Sequence, residues 1–318
     1  MGADWDANRL ARRLKLRDLN VLQAVAACGS MGKAAAQLSV SQPTVTKAIA
    51  DLEYELAVPL LDRSPRGVTL TVSGRTLLHR CVAAFDELKQ GVKDIEFLND
   101  PTAGEVKIGA PLLVASGFVS MVIDRLSRSH PRISFELIDD GVAPLIASLA
   151  ERKLDLLVVR VFRPIAGDLM NIEPLYHEAH FVVAGRQNPW ARRRQVTLAD
   201  LINEPWTLPA PESAYGSICA DAFRAAGLDF PRTTVITRGG GHPPVRNALV
   251  AHGRFLTIMP ESTIRSPNKP NLKVLPIDLP ATRRPIAIIT LKKRALSPVA
   301  KLFIDRAREL AKPLANRR

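Results

Sequence analysis

The stretch Ser30–Leu56, SMGKAAAQLSVSQPTVTKAIADLEYEL, leaves little choice of fold around it. Ala34–Ala36 favour a helix that runs to about Leu38 and offer it a small, closely approachable face. Ser39-Val40 leaves room only for a short turn. A second helix then starts with Ser41 as N-cap and Pro43 in its first turn, places these residue types prefer. Val45, Ile49, Leu52 and Leu56 follow at spacings of 4, 3 and 4 and form one buried stripe. Gln42, Thr44, Thr46 and Lys47 stand on the opposite face. Gln pairs with adenine edges, Lys reaches guanine or phosphate, and Thr meets the thymine methyl or a phosphate. A helix-turn-helix of this kind sets its second helix in the major groove of double-stranded DNA. A three-helix bundle with a polar face is the competing interpretation.

The next segment, Pro59–Gly74, reads as a wing. Strands at Leu60-Leu61 and Val68–Thr71 flank the turn Ser64-Pro65-Arg66-Gly67. Arg63 and Arg66 stand where a wing reaches phosphates or an A·T-rich minor groove. A long helix is expected over about Ser73–Leu98, stopped at Pro101. Its apolar positions Leu78, Cys81, Phe85, Leu88, Val92 and Ile95 alternate spacings of 3 and 4, the seam of a coiled coil. Dimerisation through that seam would set two reading helices on the halves of a pseudo-palindromic operator. Packing within one chain is the alternative.

With 318 residues the chain has room for two or three domains. No apolar run reaches the length of a membrane span, and Met1–Lys15 lacks the apolar core of a secretory signal. Cys28, Cys81 and Cys219 are odd in number and far apart, which fits reduced thiols in the cytoplasm. The formal net charge of +13 points weakly to nucleic acid, and its distribution is uneven. Residues 1–99 hold 13 Lys+Arg against 11 Asp+Glu, whereas residues 100–318 hold 31 against 20.

After about Gly104 short β-type runs alternate with helical ones, an α/β pattern in two sets. The expected strands are Val106–Ala110, Ile133–Ile138, Leu154–Val161, Phe181–Ala184, Val235–Thr237, Phe255–Met259 and Ile286–Leu291. Phe118–Arg128, Ala143–Arg152, Ser217–Ala226, Val245–His252 and Pro298–Leu314 read as helices. Two such sets imply a cleft, with ligands beyond the carboxyl ends of the strands. Its candidates are Pro111, Leu112, Leu113, Ser116, Gly141, Val142, Arg160, Gly239 and Gly240. Ser116 is expected to cap the following helix and turn its amides toward an anion. Arg160 is expected to pair either with a carboxylate or sugar-acid ligand, or with Asp139 or Asp140. Gly239–Gly241 leaves bare backbone for a ligand, or serves as a hinge turn. Trp190 and Trp206 either stack on a sugar or anchor loops. The run Arg192–Arg194 reads as a solvated loop tip. His177, His180, His242 and His252 lack metal-ligand spacing. No nucleotide or nucleophile-elbow motif occurs, so no cofactor is expected.

The stretch from Ser30 to Leu78 resembles the winged helix of the LysR-type transcriptional regulators. GEVKIGA (Gly104–Ala110), LDLLVVR (Leu154–Arg160) and RNALVAHGRFLTIMPES (Arg246–Ser262) are similar to later signatures of that family. The wording around Phe85–Gly104 and Gln187–Arg194 resembles the subgroup containing the regulator of a galactose-binding-protein gene. The resemblance implies a winged helix-turn-helix (1–72), a linker helix (73–100) and a two-lobed effector domain like periplasmic binding proteins (104–318). Lobe I would take 104–177 and 281–318, and lobe II 178–280. It implies DNA contacts from Gln42, Pro43, Thr44, Thr46 and Lys47, with Arg66 in the wing; Ser41 and Arg63, from the reading of the residues themselves, join these as candidate DNA contacts. It also implies a dimer of dimers, a small-molecule effector such as a sugar or carboxylate, RNA polymerase as a partner, and no catalytic step. Departures are Lys47 where many members have Arg, the apolar Leu112-Leu113, and Val142 where several have Ser or Thr. An enzyme domain fused to a DNA-binding module and a nucleoid protein are the alternatives.

Overall fold

The computed structural model describes residue 10 and residues 12–64, 67–162, 164, 169–238, 243–264 and 272–315. It divides into two compact units, residues 1–91 and 92–318. Among the described residues, no helix is long and apolar enough to cross a membrane.

In the first unit, helices α1 (Leu16–Cys28), α2 (Met31–Gln37) and α3 (Gln42–Leu56) precede the hairpin β1 (Leu61–Ser64) and β2 (Gly67–Leu70). Helix α4 (Val72–Asn99) follows and runs into the second unit. The starts of α2 and α3 are locally determined. Ser30 Oγ accepts from Lys33 N, Ser41 Oγ accepts from Thr44 N, and Pro43 sits in the first turn of α3. The stripe expected on α3 is where the core lies, with Val45, Ile49 and Leu52 buried against Leu22, Val25 and Ala34. The wing strands fall slightly off the expected places, because the antiparallel register pairs Leu61 with Leu70 and Ser64 with Gly67.

Glu53 ties the wing to α3, its Oε1 accepting from Leu60 N at 2.8 Å and Leu61 N at 3.1 Å. Val68 N also donates to Gly29 O, at 3.0 Å. Early in α4, Gly74 meets the hairpin so closely that a Cβ there would lie 2.0 Å from Leu60 O.

The second unit contains two five-stranded sheets. The first has the order β4-β3-β5-β12-β6, from β3 (Ala103–Gly109), β4 (Arg132–Ile138), β5 (Leu156–Arg160), β6 (Met170–Glu178) and β12 (Arg284–Leu291). Strands β3, β4 and β5 run parallel, and β12 is antiparallel to β5 and β6. Every residue of β5 is buried. Leu156 and Val158 join one core with Ile108, Phe118 and Phe303, while Leu157 and Val159 join another with Leu145 and Leu149. The period of two along the strand thus feeds both faces of the sheet. The covering helices are α5, a run of Leu112–Val114, the π-turn Ala115–Val119 and Ser120–Ser129, then α6 (Val142–Ala150) and α10 (Pro298–Ala315).

The second sheet has the order β11-β7-β10-β8-β9. Its strands are β7 (His180–Gly185), β8 (Trp206–Pro209), β9 (Thr233–Thr237), β10 (Leu256–Pro260) and β11 (Leu272–Val274). Helices α7 (Ala214–Ala225), α8 (Pro243–Ala251) and the short α9 (Glu261–Ile264) accompany it. Trp206 is fully buried, donates Nε1–H to Leu201 O at 2.8 Å and meets Phe223 edge-on. That is loop anchoring, not sugar stacking. Only Ala179 separates β6 of the first sheet from β7 of the second.

Gly74→Ala should lower the stability of the first unit by about 1–3 kcal/mol, the usual cost of overpacking. Thermal unfolding of the variant checks this, and an unchanged midpoint would show that the hairpin yields to α4.

Candidate functional site

Two places carry the expected residues, one in each unit. In the first unit, Ser41, Gln42, Pro43 and Lys47 are exposed at the start of α3, while Thr44 and Thr46 are half-buried. The Ser41 and Thr44 hydroxyls lie 2.8 Å apart and complete the helix cap. Thr44 also lines a hollow of about 240 Å³ with Arg17, Val21 and Ala48, so it faces partly inward. Gln42 reaches toward α2, its Oε1 lying 3.5 Å from where a Cβ on Gly32 would stand. Arg63 on β1 is half-exposed, with Nη2 3.8 Å from Glu53 Oε2. Arg66 lies outside the described residues.

The seam on α4 divides in two. Cys81 is buried in the first unit's core and Phe85 packs against that core. Burial raises the Cys81 thiol to about 11. Leu88, Val92 and Ile95 are 52–61% exposed, so among the described residues nothing covers the C-terminal part of the stripe. Coiled-coil spacing alone could not separate these halves, because both present the same residue types.

In the second unit Pro111, Leu112, Leu113, Gly141, Val142 and Arg160 line one cavity of about 590 Å³. It lies beyond the carboxyl ends of β3, β4, β5 and β8, as expected for parallel sheets. Ser116 does not line it. The helix begins at Leu112, so Ser116 lies inside the π-turn and caps nothing. Gly239 and Gly240 lie outside the described residues. Asp139, Asp140 and Phe162, from the same strand-end loops, also line it, and Pro209, Ser213, Ala214, Tyr215 and Arg246, which the sequence did not mark as ligand contacts, complete the lining.

The structure corrects the partner of Arg160. Its guanidinium bonds the carboxylate of Glu178, not Asp139 or Asp140, and both side chains are almost fully buried. Burial opposes the Arg160 charge, but the Glu178 carboxylate outweighs it and holds the pKa above its ordinary value. Glu178 Oε1 also accepts from Ser262 N at 3.1 Å. Ser262 in turn presses on Gly117 of the π-turn, where a Cβ would come within 2.6 Å of its side chain. The Arg160 Cζ lies 5.7 Å from the Tyr215 ring centroid, and that of Arg246 lies 5.8 Å from it.

His180, just past the crossover, packs its ring 5.6 Å from Tyr215. Burial, and then the charge of Arg160, holds its pKa well below the ordinary value, so it is neutral in the folded chain. An unfolded His takes up a proton near pH 6.5, which the folded chain refuses. Stability is therefore level above that pH and falls as pH drops through it. Between pH 7.5 and 5.5 this accounts for up to about 1.4 kcal/mol. His180→Phe should flatten the fall in urea midpoint over that range, and a slope identical to that of the unsubstituted chain would remove His180 as its source.

Comparison with known proteins matches both units. Residues 16–75 fit the family model described as bacterial regulatory helix-turn-helix protein, lysR family. Residues 99–312 fit that of the LysR substrate binding domain. The chain is 26% identical over 296 residues to the transcriptional regulator TdcA of Escherichia coli K12, covering 93% of each chain. It is 28% identical over 265 residues to the dual regulator GltC of Bacillus subtilis, covering 82% of this chain and 85% of that one. The regulator GbpR of Azospirillum brasilense is 27% identical over 295 residues, with 92% and 85% covered. Such even identities single out no subgroup. Among solved structures, a full-length OxyR variant from Pseudomonas aeruginosa gives a TM-score of 0.66 at 22% identity, covering 96% and 99%. Full-length CbnR complexed with its target DNA gives 0.56 at 23%, covering 94% and 100%.

Proposed function

Because this chain belongs to the LysR family, as a DNA-binding transcriptional regulator with an effector domain, we propose that α3 reads an operator in the major groove and the second unit's cleft holds the effector. The observation that carries this reading is the start of α3. Gln42, Pro43 and Lys47 are exposed there, beside a hairpin fixed to the same helix through Glu53. Gln42, Thr46 and Lys47 read bases or phosphates, Ser41 and Thr44 hold the helix start, and Arg63 and Arg66 serve the wing. The effector acts by binding one assembly state more tightly than another. RNA polymerase is the downstream partner, and the chain acts in the cytoplasm without catalysing a reaction.

An enzymatic cleft would need converging acid, base or nucleophile groups. Of the lining residues, Asp139 and Asp140 are exposed, Arg160 is spent on Glu178, and Ser213 Oγ caps α7. Thiol-based peroxide sensing is disfavoured too. Cys219 is fully buried and burial pushes its thiol up to about 12, against the thiolate that oxidation requires.

Gln42→Ala and Lys47→Ala should each weaken binding to an operator found upstream of a regulated gene by about 1–3 kcal/mol, roughly tenfold to a hundredfold. Random-sequence DNA should be affected less by Gln42→Ala. Gel shift measures both, and unchanged operator affinity in both variants would sink the assignment of α3.

The uncovered stripe of α4 supplies the dimer contact, and a second contact between effector domains makes the dimer of dimers. Leu88→Glu with Ile95→Glu should leave a smaller species by light scattering at micromolar concentration. An unsubstituted chain that runs as a monomer, or a double variant of unaltered mass, would rule the contact out.

A further inference from the structure

We infer that the cleft takes a small organic monocarboxylate with an apolar body, its carboxylate set against the Arg246 guanidinium. This rests on the cleft being the effector site, and it names the chemistry of that effector. Arg246 lies in the first turn of α8 and is 7% exposed. Its Nη1 donates to Thr237 Oγ1 at 2.8 Å, a neutral partner, and among the described residues no carboxylate pairs with it. A buried guanidinium without a counter-charge is costly, and a ligand anion supplies one. Arg160, in the same lining, already has Glu178, yet among the described residues its buried Nε has no hydrogen-bond partner. Both guanidinium groups lie against the Tyr215 ring, which orients them before any ligand arrives.

The helix ends add to this. The runs beginning at Leu112, Val142 and Ala214 all open on the cavity, and the positive ends of helices favour an anion. The walls are apolar, with Leu112, Leu113, Val142, Phe162 and Pro209. A sugar would need a polar partner for each hydroxyl. Ser213 Oγ instead donates to Ala210 O at 2.6 Å, and Tyr215 Oη to Ile258 O at 3.3 Å. The exposed Asp139 and Asp140 in the lining repel a second negative charge, so a monoanion fits better than a dicarboxylate or phosphate. The volume of about 590 Å³ is that of a small-molecule site.

The test is calorimetric titration of the full chain with isovalerate and benzoate, the matching amides, succinate, phosphate and galactose. At least one monocarboxylate should bind roughly tenfold to a hundredfold more tightly than its amide, the worth of a charge-assisted hydrogen bond. Arg246→Gln should bring that ratio to about one while the far-UV circular dichroism is retained, and Arg246→Lys should keep part of it. If Arg246→Gln fails to fold, Thr237→Val replaces it, since losing the hydroxyl frees the guanidinium and should lower the same ratio. Acids that bind no better than amides, or a preference that survives both variants, would overturn the inference. Tighter binding of succinate, phosphate or galactose would overturn it as well and leave the cleft an effector site. Operator affinity that responds to no cleft ligand would instead count against the regulatory reading, whatever the acids do.

Discussion

The ion pair between Arg160 and Glu178 sits where the chain leaves one sheet for the other. Arg160 closes the fully buried strand β5, and Glu178 closes β6, one residue before the next sheet begins. The Glu178 carboxylate also takes the Ser262 amide from beyond β10, so a single buried charge engages both sheets. Burying such a charge costs several kcal/mol unless its partner and hydrogen bonds are in place. Tyr215 and His180 pack beside the pair, and the cavity opens next to it. The position of the cleft therefore depends on an interaction that tolerates little displacement.

The first unit is organised on a smaller scale by the same means. One carboxylate, that of Glu53, gathers two wing amides and faces Arg63, and so fixes the wing to α3. The part of the chain that carries the proposed reading surface is nearly neutral. Residues 1–99 have 13 Lys+Arg against 11 Asp+Glu, and the basic excess lies in the other part of the chain.

Much of this was legible in the sequence. The cap Ser41, Pro43 and the α3 stripe are local signals, and they define the second helix of the helix-turn-helix nearly residue by residue; the Ser30 cap of α2 emerges only in the structure. Strand β5 was legible because burial on both faces demands a continuous apolar run. Strands β6 and β8 were not. The segment Met170–Glu178 mixes charges with Pro174 at a sheet edge, and Trp206–Pro209 is short and ends in proline. Helix α5 starts earlier than its composition suggests, since the apolar Leu112–Val114 lacks a capping side chain. The place of Arg160 at a strand end beside the cleft is legible, but its partner lies 18 positions on, across β12, a pairing no local pattern encodes. Arg246 was not legible for a related reason, because what sets it apart is that no carboxylate among the described residues pairs with it.

A double-mutant cycle in urea unfolding measures the buried pair most directly. Glu178→Gln alone should cost about 3–5 kcal/mol, since it strands the Arg160 charge. Adding Arg160→Met should recover much of that loss, because the stranded charge is then gone as well. Losses that simply add would contradict the claim that these two side chains act as one unit at the crossover.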